Sequence, residues 1–144
     1  MFAAFSPDES LIAVCVHPWQ HDGNDGSIVI YKSDTGEKVS ELHPFETCGD
    51  GESIQSLLWT PDGAYILAAT GTASGASGIS VFNTITGKKR GELMGPTRIK
   101  GMGLLTPSRE LVAGDQFGKI WFWDLSAVVD NVREFEASLK EMPK

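Results

Sequence analysis

One short sentence is written three times in this chain. It begins at Phe5-Ser6-Pro7-Asp8, recurs at Trp59-Thr60-Pro61-Asp62-Gly63 and returns as Leu105-Thr106-Pro107-Ser108. Each copy continues into a short apolar run, a loop, and a second apolar run holding an aromatic: Ile28-Val29-Ile30-Tyr31, Ile79-Ser80-Val81-Phe82 and Ile120-Trp121-Phe122-Trp123. Recurrence at ~40–50 residues is the mark of stacked units, each burying its apolar face on the next. Units of this kind usually present binding surfaces rather than catalytic centres.

The register can be counted. Ile28 to Ile79 and Gly36 to Gly87 both span 51 residues, whereas Ile79 to Ile120 spans 41. The difference falls in the loop before the aromatic run: residues 17–25 and 71–77 in the first two copies, but only Gly114-Asp115-Gln116-Phe117-Gly118 in the third. Runs 10–16, 28–31, 64–70, 79–82 and 120–123 have the length and β-branched content of strands. Pro7 and Pro61 preset φ for tight turns, and Gly63 accepts a positive φ. Asp34-Thr35-Gly36 and Ile85-Thr86-Gly87 lead into a fourth, more polar strand at 38–42 and 89–93. Leu57-Leu58-Trp59 and Ile120–Trp123 are apolar without alternation, which predicts sheets covered on both sides. On that reading Trp59, Ile79, Val81, Ile120 and Phe122 are core.

A chain of 144 residues with 41% hydrophobic content is long enough for one domain with a core. No apolar run reaches the ~18 residues of a bilayer span. Met1-Phe2-Ala3-Ala4-Phe5 lacks the basic and apolar regions of an export signal, so the expectation is cytoplasmic. The net charge is −7, and the only basic cluster is Lys88-Lys89-Arg90 beside a glycine turn, which argues against nucleic acid and anionic membrane as partners. Cys15 lies in an apolar run and Cys48 in a Gly-rich loop, and they read as two thiols rather than a bridge.

Residues Leu111-Val112-Ala113-Gly114-Asp115-Gln116-Phe117-Gly118-Lys119-Ile120-Trp121-Phe122-Trp123-Asp124-Leu125 resemble the second-to-third-strand segment of a WD-repeat β-propeller blade, closing on that family's Trp-Asp dipeptide. Tyr31-Lys32 and Phe82-Asn83 keep the aromatic and lose the acid, and Pro61-Asp62-Gly63 matches the family's first hairpin. The resemblance covers residues 2–125. The family's Gly-His dipeptide is missing, with Gly95-Pro96 near its place, and Phe117 stands where the short-loop Asp is expected. The family's His–Ser–Asp–Trp network is therefore not carried over to this chain. What the resemblance implies is an all-β fold, a partial β-propeller of about three antiparallel blades over 1–125, with a C-terminal α-helix and tail over 126–144. Propeller rings typically close with about four to eight blades. The chain is then the C-terminal part of a larger propeller, a truncated blade set, or a unit that completes a ring by association. Ser126 reads as the cap of a helix over 127–142, with Val128, Val132, Phe135, Leu139 and Met142 on one face. That helix either covers Trp121 and Trp123 of the last sheet or docks on a partner.

Nucleotide-binding, serine-hydrolase and zinc-site motifs are absent from the sequence. His17, His21, Asp22 and Asp25 share one loop, and imidazole and carboxylate are metal ligands. The same residues suit solvated turns, and Asp22–Gly26 is one residue short of a calcium-loop spacing, so no metal or cofactor is expected. Trp19, in the same loop, is either packed back on its blade or offered to a partner. The expected function is a non-catalytic protein-interaction scaffold of WD-repeat type, binding a protein partner or a second copy through its loop face and blade edges. Trp19, His21, Asp22, Asp25, Val132, Phe135 and Leu139 are the candidate contacts. The alternatives are part of a propeller enzyme or substrate-binding domain, with Glu52, Lys100 and Asp115 as the few ionisable candidates, or a blade set with no independent role. The first sheet is expected to expose an apolar face around Leu11, Ala13, Ile28 and Ile30.

Overall fold

The computed structural model describes residues 3–16, 26–44, 53–71, 77–94, 99–105 and 110–126. These residues form three antiparallel sheets, and in each the strands lie side by side in chain order. The first sheet is β1 (Ala3–Phe5), β2 (Leu11–Val16), β3 (Ser27–Lys32) and β4 (Lys38–Leu42). The second is β5 (Ser53–Trp59), β6 (Tyr65–Gly71), β7 (Ser77–Asn83) and β8 (Lys89–Met94). The third is β9 (Ile99–Leu105), β10 (Glu110–Asp115) and β11 (Ile120–Asp124), with no fourth strand beside β11 among the described residues. The all-β, propeller-like arrangement agrees with the sequence. The helix expected over 127–142 lies outside the described residues. Where the description stops, Leu125 and Ser126 turn helical, and Asp124 Oδ1 accepts the Ser126 N–H at 2.9 Å.

The repeated turn owes its shape to a hydroxyl as much as to proline. Ser6 Oγ donates to Asp8 Oδ1 at 2.7 Å and accepts the Leu11 N–H at 3.0 Å. Thr60 Oγ1 does the same in the second sheet, donating to Asp62 Oδ1 at 2.7 Å and accepting the Tyr65 N–H at 3.1 Å. Each carboxylate also accepts the backbone N–H two residues on, from Ser10 and from Ala64, at 3.0 Å. Bonds from the Ser6 hydroxyl, then the Ser10 hydroxyl and N–H, hold the Asp8 carboxyl down to about 2. Gly63 takes φ 71° in this turn, and Glu9 is forced to φ 62° at the matching place. A left-handed non-glycine residue costs ~1–2 kcal/mol.

The second sheet is buried on both faces. Along β6, Tyr65, Leu67 and Ala69 join Ile79 and Val81 in a core shared with Ile99, Leu111 and Ala113 of the third sheet. The alternate residues Ile66 and Ala68 join Ile54, Trp59 and Phe82 in a second core with Ala13, Cys15, Ile28, Ile30 and Leu42 of the first. Burying one such aliphatic or aromatic side chain is worth ~1.5–3 kcal/mol. Polar cross-links fix the stacking. Trp59 Nε1 donates to the Ala4 carbonyl at 3.2 Å, Ser40 Oγ to the Thr84 carbonyl at 2.7 Å, and the Met102 N–H to Ser56 Oγ at 3.3 Å.

Two expectations about the core need correction. Trp59, Ile79 and Val81 are buried, but Ile120 is 65% exposed and Phe122 59%. In the β10–β11 ladder Leu111 pairs with Trp123, Leu111 in the core and Trp123 half-buried against it, while Val112 pairs with Phe122 and Gly114 with Ile120 on the opposite face. No sheet among the described residues lies on that side. In the first sheet, Ala13, Ile28 and Ile30 turn toward the second sheet instead of outward. Its open face carries Phe5, Ile12, Val14 and Tyr31, which alternate with them in the ladders.

Candidate interaction surfaces

Strand pairing sets equivalent residues of the second and third strands in each sheet in a common register. Ile30 pairs with Ala13, Val81 with Leu67, and Phe122 with Val112. Ile28, Ile79 and Ile120 sit two residues earlier, opposite Cys15, Ala69 and Gly114. The open face of the third sheet therefore uses the same positions that the first and second sheets bury against their successors. The converse holds at the other end. Phe5, Ile12, Val14 and Tyr31 occupy the places of Trp59, Ile66, Ala68 and Phe82, which bury against the preceding sheet. Among the described residues the stack thus presents two unlike apolar faces, one on the first sheet and one on the third. The floor of the third-sheet face is glycine: a Cβ at Gly101, Gly103 or Gly114 would meet nothing within 4 Å.

The edge of the third sheet is organised by a buried acid. Asp115 Oδ2 accepts the Trp121 Nε1–H at 3.0 Å, and Oδ1 accepts the Phe117 and Lys119 N–H groups at 2.8 and 3.0 Å. Burial by itself would raise the Asp115 pKa. The bonds from Trp121, Lys119 and Phe117, with the Lys119 charge, outweigh it and leave the pKa below the ordinary carboxylate range. The bond orients the Trp121 indole, which stacks with Trp123 at a centroid distance of 6.5 Å and an interplanar angle of 21°. This Asp–Trp pair was not among the expected contacts. Its sequence signal is an acid at a strand end, a glycine turn, and a tryptophan six residues on.

Of the ionisable candidates for a channel site, Lys100 is exposed on β9, Asp115 is engaged in its hairpin, and Glu52 lies outside the described residues. So do Trp19, His21, Asp22 and Asp25, and likewise Val132, Phe135 and Leu139. Among the described residues no group of three or more His, Cys, Asp or Glu side chains is placed to hold a metal ion. No helix there is long and apolar enough to cross a membrane.

No protein-family model and no curated protein matches the chain. Solved structures do. A candidate 6-phosphogluconolactonase from Bacteroides uniformis is 17% identical, with a TM-score of 0.64 over 83% of this chain and 34% of that one. The β-propeller domain of Myceliophteria thermophila Cps50 (Swd1) is 18% identical, with a TM-score of 0.60 over 83% of this chain and 34% of that one. U3-55K is 14% identical, with a TM-score of 0.64 over 87% of this chain and 36% of that one. At such identities the likeness establishes the fold, a propeller-like stack of antiparallel sheets. The chain spans about a third of the length of each of these structures.

Proposed function

We propose that this chain is a non-catalytic, cytoplasmic protein-interaction scaffold of the WD-repeat type, working through the open ends of its sheet stack. The observation that carries the reading is the pair of unlike apolar faces, with Phe5 59% exposed at one end and Phe122 59% and Ile120 65% at the other. Exposed apolar patches of this kind mark interaction sites. The WD-repeat assignment is supported by Trp123-Asp124 standing at the end of a β11 strand that pairs as the resemblance requires. The non-catalytic assignment is supported by Asp115, whose carboxylate is taken up by three hydrogen bonds within its own hairpin. The cytoplasmic setting rests on sequence alone. The net charge of −7 favours protein over nucleic acid or anionic lipid as partner.

The test compares the wild-type chain with an Ile120→Asp/Phe122→Asp variant and with Phe5→Asp. Proteins cross-linked to each in extracts of the source cells are identified by mass spectrometry. A protein partner held by the wild type and lost from an end-face variant of unchanged melting temperature supports the reading. Partners retained by both variants move the function to the loop face. Turnover of a sugar-phosphate lactone, the chemistry named for one structural neighbour, would replace the scaffold with an enzyme.

A further inference from the structure

We propose that the two open faces meet each other: two copies of this chain join head to tail, the first sheet of each on the third sheet of the other, and close a single six-sheet ring. This deepens the scaffold reading and rests on it. Each open face is one half of an interface that the chain already builds twice. Ile120, Phe122, Val112 and Gly114 stand where Ile79, Val81, Leu67 and Ala69 receive the next sheet. Phe5, Ile12, Val14 and Tyr31 stand where Trp59, Ile66, Ala68 and Phe82 seat on the previous one.

Local fit supports the same pairing. At the first junction a large aromatic lies on a small residue: Trp59 reaches Ala4, its indole N–H bonded to the Ala4 carbonyl at 3.2 Å. The place of Ala4 in the third sheet is taken by Gly103, since Ala4 pairs with Ala13 and Gly103 with its counterpart Val112. The place of Trp59 in the first sheet is taken by Phe5. A second copy therefore brings an exposed phenyl ring onto a glycine with open space above it. The turns match too. Gly87 lies against the preceding sheet, where a Cβ would be 2.7 Å from the Glu41 carbonyl oxygen, whereas Gly36 at the matching position has nothing within 4 Å. Among the described residues no sheet lies on that side of the first sheet. A head-to-tail contact continues until rotation closes it. The three sheets of the described residues, taken from each of two copies, give six, inside the range of about four to eight in which propellers close.

Sedimentation equilibrium of the full chain at micromolar concentration should give twice the 15.5 kDa of one chain. Phe5→Asp and Phe122→Asp, each alone, should weaken the dimer at least ~100-fold, because each removes both junctions of the ring. Gly103→Leu fills the open space without adding charge and should weaken it likewise. Mixing the two aspartate variants should restore a heterodimer, since one junction then has both wild-type faces. A dimer that survives Phe5→Asp would show third sheet on third sheet and overturn the proposal. So would failure of the mixture to associate while both variants keep the wild-type melting temperature. A wild-type monomer that still holds a protein partner also overturns it, while leaving the scaffold reading standing.

Discussion

The second and third sheets share a register and differ in fate. Val81 and Phe122 occupy the same position in the same strand of the repeat, yet Val81 is 1% exposed and Phe122 59%. The second sheet has neighbours on both faces and a fourth strand, β8, beyond β7. Among the described residues the third has a neighbour on one face only, and β11 is its last strand. Burial here is decided by the presence of a next sheet and not by the residue. In a stacked architecture an end unit is an interior unit with one interface missing.

The largest expected effect tests that contrast directly. Phe82→Ala, in the core between the first and second sheets, should cost ~3–5 kcal/mol in urea unfolding. Phe122→Ala should cost less than ~1 kcal/mol at concentrations where the chain is monomeric. Equal losses would mean that the third sheet's open face is covered. Next comes Thr60→Val. It keeps the shape of a buried side chain but leaves the Tyr65 N–H and Asp62 without their hydroxyl partner, a loss of ~1–3 kcal/mol by the same measurement. A neutral result would return the turn to Pro61 alone.

The third comparison extends the contrast to the first sheet. Gly36→Ala and Gly87→Ala both impose a side chain at φ near 70°, at ~1–2 kcal/mol each. Only Gly87→Ala also drives a Cβ against the Glu41 carbonyl, and it should melt lower than Gly36→Ala by a further ~1 kcal/mol or more. Identical melting temperatures would break the claim that one turn is packed and the other open. The smallest effect is in acid. Asp8 has a folded pKa of about 2, below its unfolded value near ~3.9, so its contribution is present above about pH 4 and fades as pH falls toward 2. Asp8→Asn should flatten that part of the melting-temperature profile. An unchanged profile would detach the carboxylate from the turn.

The register was legible because it rests on local chemistry. Proline turns, Thr-Gly turns and the 51-residue repeat rest on residues close in the chain or in fixed register, and they placed the strands correctly among the described residues. The open face was not legible. Ile120-Trp121-Phe122-Trp123 is apolar on both sides, so its composition is the same whether one face is covered or two. Ala13 and Ile28 were assigned to the wrong side for the same reason. The Asp115–Trp121 bond needs the β10–β11 register, which sets Gly114 opposite Ile120 and brings residues six apart together. The role of Ser6 and Thr60 was hidden behind the prolines that follow them.

The chain-order pairing of the strands has a consequence for how the molecule is made. The bonds from Ser6 to Leu11 and from Thr60 to Tyr65 span five residues, so each first hairpin can close without any distant segment. The sheet then zips outward one strand at a time, which suits growth from a ribosome, N-terminal sheet first. During synthesis the face bearing Ala13, Cys15, Ile28 and Ile30 stays bare until Trp59, Ile66 and Phe82 emerge. The delay between Leu42 and the second sheet is thus an interval in which a nascent chain is open to sticking to its neighbours. Each later sheet shields one face of the sheet before it, so this sticky front moves along the chain as it lengthens, while the face bearing Phe5 stays open throughout.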